Sequence, residues 1–240
     1  KSNILDAKDT VDYIIKNKKS VIRFGDGEFN FFRHYGISYQ EYNTNIEKML
    51  KEILDKYEEN SNYLLCIPKY FFECNGKELG KHNKQNILYW AFSRYFFKNK
   101  VSKNKLYGDA FLFGKQNKDI YSKIFTDLNI DKVIFVHNNE KYAIQFQNQY
   151  NINTEYINVP ERNSYNNLDE ITKNIIEKIN NKDKELILIS AGPTAKIIVY
   201  KLAKRGIFAI DTGHCWDKPL NVLNRKINKI SKKRRNIFFW

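Results

Sequence analysis

The sequence has 240 residues, of which 42% are hydrophobic and 15% aromatic, so a single domain over residues 1–240 can bury a core without disulfide bonds. Its formal net charge is +14, and no run approaches the roughly 18 apolar residues of a membrane-spanning helix, which excludes a span of that kind. Three cysteines, an odd number without CxxC spacing, predict reduced buried thiols and a cytoplasmic location; they are Cys66, Cys74 and Cys215.

Hydrophobic spacing in the first half predicts helices separated by short strands. Val11, Ile14 and Ile15, for example, form the apolar face of a first helix. In chain order the predicted elements are a helix over Ala7–Asn17, a strand over Ser20–Phe24, a helix over Tyr42–Tyr57, a strand over Tyr63–Ile67 and an aromatic-rich helical region over Asn86–Phe97.

The second half alternates strands and helices with short connections. The predicted strands and helices are Lys132–Val136, Glu140–Tyr150, Thr154–Val159, Leu168–Ile179, Glu185–Ile189, Thr194–Lys204 and Ile207–Ile210, beginning and ending with a strand. This alternation indicates an α/β fold with a mostly parallel sheet and helices on both faces, and right-handed crossovers would make it Rossmann-like. Ligands of such sheets bind beyond the carboxyl ends of the strands, so we expect the functional site there.

The segment Arg23-Phe24-Gly25-Asp26-Gly27-Glu28 follows the first predicted strand. Two glycines around an acid, Gly25 and Gly27, allow a sharp turn and a close approach of the backbone to a ligand. The carboxylates of Asp26 and Glu28 could ligate one hard cation, Mg²⁺ or Mn²⁺, while Arg23 takes a phosphate through its planar fork. An Asp-Gly turn with a surface glutamate is the alternative, and it is the commoner origin of such a triplet.

The segment Ser190-Ala191-Gly192-Pro193-Thr194 leads from a predicted strand directly into a helix. Free amides at a helix N-terminus, together with the helix dipole, bind phosphate. The Thr194 hydroxyl can cap the helix or donate to a ligand oxygen. Because the segment has neither the lysine of a Walker loop nor the spacing of GxGxxG, it predicts either an anion site of another kind or ordinary helix capping.

A third polar segment, Asp211-Thr212-Gly213-His214-Cys215-Trp216-Asp217, follows the last predicted strand. Asp211, His214 and Asp217 could supply a general base, a clamp for an acceptor or a further metal ligand. One histidine without a second nearby does not suggest zinc. An Asp-capped turn with His214 bonded to the backbone is the alternative.

Two looser segments, Tyr107–Phe111 and Pro160–Tyr165, also place polar residues beside a turn. Arg162 and Asn163 in the second could hold a phosphate or a sugar hydroxyl, although the chemistry of a surface loop explains them as well. The remaining histidines stand alone and are expected to be structural or exposed; they are His34, His82 and His137.

Positive charge is concentrated near the end, over residues 225–240, where a basic run leads into Phe238-Phe239-Trp240. A basic run ending in aromatic residues is typical of peripheral contact with an anionic membrane, here its inner face, or with a polyphosphate ligand. A basic helix whose aromatics cover the core is the alternative. Met49 is the only methionine, so we expect the chain to be part of a longer protein.

Taken together, these segments resemble the GT-D-type glycosyltransferases, a bacterial family long described only as a domain of unknown function. The resemblance lies in RFGDGE at Arg23–Glu28, YGDAF at Tyr107–Phe111, PERNSY at Pro160–Tyr165, AGPTA at Ala191–Ala195 and AIDTGH at Ala209–His214. These motifs occur in the family's order and span nearly the whole chain. None is decisive alone, but their joint occurrence is specific.

The resemblance implies a Rossmann-like fold, a metal-binding DxE motif and a UDP-sugar donor. By position, Asp26 and Glu28 match the acids that hold the divalent metal, Mn²⁺ or Mg²⁺, at the donor diphosphate. From the segments and the resemblance together, the expected substrate-binding residues are Arg23, Gly25, Gly27, Arg162, Asn163, Gly192, Pro193 and Thr194. The expected catalytic residues are Asp211 and His214, either of which would serve as general base for an acceptor hydroxyl.

The implied reaction transfers a sugar, glucose or a related hexose, to a glycan or glycoprotein acceptor. Two other classes remain as alternatives. A nucleic-acid-binding protein would suit the isoelectric point near 9.5 but leaves the acids at a strand end unexplained, so we predict no nucleic-acid partner. A metal-dependent phosphohydrolase normally needs more acids or histidines around its metal than the sequence offers.

Overall fold

Seven parallel strands form one sheet with helices on both faces in the part of the chain that the structure describes, which confirms the predicted fold class. The structure, a computed structural model, describes residues 3–75, 78, 91, 93–96, 99–102 and 104–217. The helical region expected over Asn86–Phe97 lies largely outside these residues, and His82 and the basic stretch 225–240 lie entirely outside them. Described residues 93–96 are helical.

The sheet has the strand order β3-β2-β1-β7-β6-β4-β5. The strands are β1 (Ser20–Arg23), β2 (Tyr63–Ile67), β3 (Gly108–Asp109), β4 (Lys132–His137), β5 (Asn153–Asn158), β6 (Glu185–Ile189) and β7 (Ala209–Asp211). The helices that position the site or cover the sheet are α1 (Ala7–Asn17), α2 (Asp26–Phe32), α3 (Thr44–Asp55), α4 (Lys69–Glu73), α5 (Lys118–Tyr121), α6 (Lys123–Thr126), α7 (Lys141–Tyr150), α8 (Leu168–Lys178) and α9 (Pro193–Ala203). Short 3₁₀ turns lie at Lys115–Asn117 and Ser164–Asn167.

Alternate residues of the strands face two apolar layers, as side chains of a strand must. On one face, Ile22 and Ile187 belong to a buried cluster that also contains residues of α2, α3, α8 and α9. On the other, Val21 and Leu188 pack with residues of α1, α5, α6 and α7. Because both faces are covered, the central strands consist almost wholly of apolar residues.

Helix α9 occupies the centre of one layer and contacts β1, β7 and α3. Its sequence is apolar on nearly every side, as expected for a helix inside the core. Pro193 stands at its first position, where the missing N–H of proline would have no helical partner in any case. A core position of this kind makes any charged residue of α9 costly unless it is paired.

All seven described strands run parallel, so their carboxyl ends lie at one edge of the sheet. Arg23 is aligned with Cys66, Ile189 with Asp211, and β1 with β7. The polar segments after β1, β6 and β7 are therefore neighbours in space, as the sequence predicted.

The three cysteines are free and buried, in agreement with their spacing; they are Cys66, Cys74 and Cys215. Among the described residues no helix has both the length and the apolar character needed to cross a membrane.

Candidate functional site

A cavity of about 580 Å³ opens at the carboxyl edge of the sheet. Its walls come from the segments after β1, β3, β4, β5, β6 and β7. The predicted site residues that line it are Arg23, Gly25, Asp26, Gly27, Glu28, Arg162, Gly192 and His214. Asp211 and Thr194 are fully buried behind this lining.

Arg23 ties the ends of three strands together. Its Nε donates to the Asp211 carbonyl oxygen at 2.7 Å, and one terminal nitrogen donates to the Ala110 carbonyl oxygen at 3.0 Å. The other terminal nitrogen lies 3.6 Å from a carboxylate oxygen of Asp211. The guanidinium also lies over the Phe113 ring, at 5.3 Å from its centroid. Most of the hydrogen-bonding capacity of Arg23 therefore holds the protein, although the residue also lines the cavity.

Lys196 contacts all three of these predicted segments, although no motif pointed to it. Its ammonium lies 3.2 Å from Glu28 Oε1 and 3.1 Å from Asp211 Oδ2. It also lies 3.3 Å from the Gly192 carbonyl oxygen. The residue is 6% exposed and lines the cavity. A lysine in the first turn of a mostly apolar helix was the available signal, hidden in a chain rich in lysine.

These contacts set the pKa values of the buried charges. For Asp211, burial is outweighed by Lys196 and Arg23, so its pKa is lowered. For Lys196, burial is outweighed by Asp211 and Glu28, so its pKa is raised. For Glu28, burial is the largest effect and raises the pKa, because it shares its one ammonium with Asp211. Of the two acids, Asp211 is the more strongly held anion.

The two acids of the DxE triplet are used differently. Helix α2, which was not predicted, begins at Asp26, so its two acids stand in the first turn of a helix. Residues two apart on a helix do not face each other. The side chain of Asp26 is exposed, whereas Glu28 is 5% exposed and accepts a hydrogen bond from the Gly25 N–H at 2.6 Å. The extended backbone on which both acids would face one point is not present here.

The residues nevertheless fit a hard divalent ion. Mg²⁺ and Mn²⁺ use one or two carboxylates, retain waters and take phosphate oxygens of the substrate. Exposed Asp26 lines the cavity, and Glu28 lies on its wall beside Lys196. Within the described residues no group of three or more histidines, cysteines or acids could hold a metal ion, so a site made wholly of protein ligands is not formed.

Two of the predicted residues differ in their capacity to act as a base. Asp211 has no exposed surface and a lowered pKa, both of which disfavour proton transfer to it. The side chain of His214 is 49% exposed, lines the cavity and lies 3.4 Å from the Asp217 carboxylate through Nδ1. The geometry therefore favours His214 over Asp211 as a base.

His137 at the end of β4 also lines the cavity, although the sequence suggested only a structural or exposed role. It is 3% exposed, and its Nδ1 accepts a hydrogen bond from the Asn139 N–H at 3.0 Å. Burial lowers its pKa. The ring is therefore neutral, with its proton on Nε2. Its cavity position could not be read from an isolated histidine in the sequence.

Helix α9 begins beside the cavity at Gly192, which has φ +55°. The hydroxyl of Thr194 has no hydrogen-bond partner among the described residues and is fully buried. It therefore does not cap the helix, which contradicts one of the two interpretations of the sequence.

In the turn after β5, Arg162 is exposed and lines the cavity. Asn163 instead holds the loop between α2 and α3. Its Oδ1 accepts from the Glu41 N–H at 2.8 Å, and its own N–H donates to the Tyr39 carbonyl oxygen at 2.9 Å. This side chain is engaged by the protein in a role other than the expected substrate contact.

Comparisons with known proteins point to one family. A family described as "Glycosyltransferase GT-D fold" matches residues 21–236. The chain is 28% identical over 226 residues to "Probable glycosyl transferase Gly" of Streptococcus gordonii, covering 88% of this chain and 32% of the relative. It is 24% identical over 222 residues to "Glycosyltransferase GlyD" of Streptococcus pneumoniae serotype 4 (strain ATCC BAA-334 / TIGR4), covering 86% of this chain and 26% of the relative. The chain thus spans about a third or less of these curated relatives.

Solved structures with a similar fold point to the same family. One, described as "The highly conserved domain of unknown function 1792 has a distinct glycosyltransferase fold", has a TM-score of 0.69 and 26% identity, covering 90% of this chain and 79% of that one. Another, "A New Glycosyltransferase (DUF1792) from Streptococcus sanguinis", has a TM-score of 0.70 and 24% identity, covering 90% and 82%. Because the second structure is only 24% identical to this chain, its similarity shows the fold alone.

Proposed function

The chain belongs to the GT-D glycosyltransferase family, as its motifs predicted, and on this premise we propose that it transfers a hexose such as glucose from a UDP-sugar to a glycan or glycoprotein acceptor. The observation that carries the proposal is the convergence of three segments on one buried ammonium. Lys196 contacts Glu28 of the first segment, Gly192 of the second and Asp211 of the third, at the floor of one cavity.

Two fixed cations and the start of a helix at the cavity suit a leaving diphosphate. Arg23 and Lys196 line the cavity, and the N-terminal end of α9 opens onto it at Gly192. Negative charge builds on the leaving diphosphate as the bond to the sugar breaks, and fixed cations and helix amides stabilise such charge. Because these groups are held by other protein contacts, they need little reorganisation when the charge appears.

Asp26 and Glu28 are the residues that would hold the divalent ion, Mn²⁺ or Mg²⁺. When bound, such an ion neutralises charge on phosphate oxygens. Asp26 is the exposed acid, whereas Glu28 is buried and would have to share its carboxylate between the ion and Lys196. Asp26 therefore makes the larger contribution to metal affinity in this proposal.

His214 takes the proton of the acceptor hydroxyl. Its Nδ1 faces Asp217, which fixes the ring and stabilises the imidazolium that forms, so Nε2 is the nitrogen that receives the proton.

The test is binding of UDP by calorimetry, with and without Mn²⁺, followed by release of UDP from UDP-glucose. We expect UDP binding to strengthen with Mn²⁺, and we expect Asp26→Asn to lose this strengthening. Asp119→Asn is the control, because it removes an exposed acid on α5. Binding and turnover that are unchanged in EDTA would refute the metal role. Failure of UDP to bind under any condition would refute the donor, and release of inorganic phosphate instead of UDP would favour the phosphohydrolase.

A further inference from the structure

Tyr39 lies on the cavity wall between two parts of the site, although it belongs to none of the sequence motifs. Its ring packs against the start of α9, since a Cβ added at Gly192 would lie only 2.6 Å from Tyr39 Cε2. The same ring meets the His214 ring edge to face, with centroids 5.7 Å apart and an interplanar angle of 85°. Tyr39 is therefore in contact with both the helix start and the proposed base.

The backbone around Tyr39 is fixed by the turn after β5. The Asn163 N–H donates to the Tyr39 carbonyl oxygen at 2.9 Å, and Asn163 Oδ1 accepts from the Glu41 N–H at 2.8 Å. Gln40, which is 3% exposed, accepts from the Tyr165 N–H at 3.2 Å. A ring held by packing and by its own backbone is already oriented before a ligand arrives, which lowers the entropic cost of binding.

The Tyr39 side chain is half-buried, and its hydroxyl makes no hydrogen bond to any of the described residues. Burial raises the pKa of Tyr39 to about 12. The Lys196 ammonium lowers this pKa, whereas the carboxylates of Glu28 and Asp26 raise it further. The phenol therefore stays protonated at neutral pH and can donate its proton in a hydrogen bond to a ligand oxygen. The cavity is the space from which that acceptor can come.

We propose that the Tyr39 hydroxyl donates a hydrogen bond to a phosphate oxygen of the donor's diphosphate. The inference rests on the proposed function, since it assumes a nucleoside diphosphate in the cavity. Anionic oxygens can be stabilised at this position because the ring packs on the start of α9, where the Lys196 ammonium lies 3.3 Å from the Gly192 carbonyl oxygen. A neutral donor adds a directed contact there without adding another charge to a buried, balanced cluster.

The experiment compares Tyr39→Phe with the wild type in calorimetric titrations with UDP, uridine and inorganic pyrophosphate, all with Mn²⁺. Phenylalanine keeps the ring that packs on Gly192 and removes only the hydroxyl. A hydrogen bond to a charged group is worth about 1.5–3 kcal/mol, so we expect affinity for UDP and for pyrophosphate to fall about 10-fold or more. Affinity for uridine should stay within about 2-fold, because uridine lacks the diphosphate.

Tyr35→Phe is the matched control, because Tyr35 lies in the same loop region but is 62% exposed. UDP affinity that is equal in Tyr39→Phe and the wild type would overturn the inference and leave the proposed function intact. Equal losses for uridine and UDP would overturn it as well, by placing the hydroxyl on the nucleoside. A wild type that binds neither UDP nor pyrophosphate would overturn the inference and the proposed donor together.

Discussion

The Lys196 ammonium lies 3.2 Å from a carboxylate oxygen of Glu28, and both side chains are less than a tenth exposed. The same ammonium lies 3.1 Å from Asp211, which in turn pairs with Arg23. Two cations and two anions, which lie on β1, α2, α9 and β7, thus form one balanced cluster. Removing one member leaves an uncompensated charge in the core, which costs more than the pair itself contributes.

Replacing Lys196 by methionine should therefore destabilise the fold strongly. Glu28 and Asp211 would both lose their shared cation, and we expect the free energy of unfolding to fall by about 3–5 kcal/mol. Urea denaturation followed by circular dichroism measures this. Lys201→Met is the control, because Lys201 lies on the same helix but pairs with an exposed Asp169, and its loss should cost less than about 1 kcal/mol. Equal stability of Lys196→Met and the wild type would contradict the cluster.

The sequence predicted most of the sheet because apolar runs mark its strands and short connections make them parallel. Helix α2 was missed since Asp26-Gly27-Glu28 reads as a turn. What makes it helical is Glu28, which accepts from the Gly25 N–H, and the burial of Phe29 and Phe31. The burial of Phe29 and Phe31 is a tertiary effect that leaves no local pattern, whereas the Glu28 contact is a local cap, three residues from Gly25, that the turn interpretation overlooked.

Lys196 and Tyr39 were missed for a related reason. A lysine gains its meaning here from two carboxylates that are distant in sequence, and a tyrosine from a glycine and a histidine that fold against it. The strand-end rule correctly placed the segments at one edge, but it could not say which side chains face the cavity and which hold the protein. Asn163 is an example of a side chain that holds the protein, because it accepts a hydrogen bond from the Glu41 N–H.

Gly192 should tolerate alanine worse than Gly206 does. Both have positive φ, +55° and +70°, which strains any residue with a Cβ. At Gly206 the added Cβ meets only the tip of Lys182 at 3.8 Å, whereas at Gly192 it meets the Tyr39 ring at 2.6 Å. We expect a loss of about 1 kcal/mol for Gly206→Ala and at least about 2–3 kcal/mol for Gly192→Ala in urea denaturation.

The same substitution in a Tyr39→Leu background isolates the contribution of the ring. If the overlap with Tyr39 causes the extra loss, Gly192→Ala should cost less there than in the wild type. An unchanged cost would mean that backbone strain at Gly192 accounts for the whole effect.

Asp109 should make stability depend on pH between about 4 and 6. Burial, partly offset by hydrogen bonds from the N–H groups of Phe111 and Lys69, raises the pKa of Asp109 from 3.8 to about 6. The folded state therefore keeps this proton to higher pH than the unfolded state, and its stabilising effect is lost as pH rises through 6. Relative to Asp109→Asn, the wild type should lose about 1–3 kcal/mol over that range. A difference that grows in favour of the wild type as pH rises would contradict this.

Substitutions of Asp26 and Glu28 should differ in their effects on stability and on metal binding. Asp26→Asn changes an exposed side chain, so we expect a loss of stability within about 1 kcal/mol but a loss of the Mn²⁺-dependent part of UDP affinity. Glu28→Gln keeps an acceptor for the Gly25 N–H but removes a buried charge opposite Lys196, so stability should fall further, by about 1–3 kcal/mol. Urea denaturation of the free protein and calorimetry with UDP and Mn²⁺ give the two quantities.

If Asp26→Asn retains metal-dependent UDP binding, the ion binds elsewhere. If Asp26→Asn and Glu28→Gln lose equal stability, both acids support the fold in the same way.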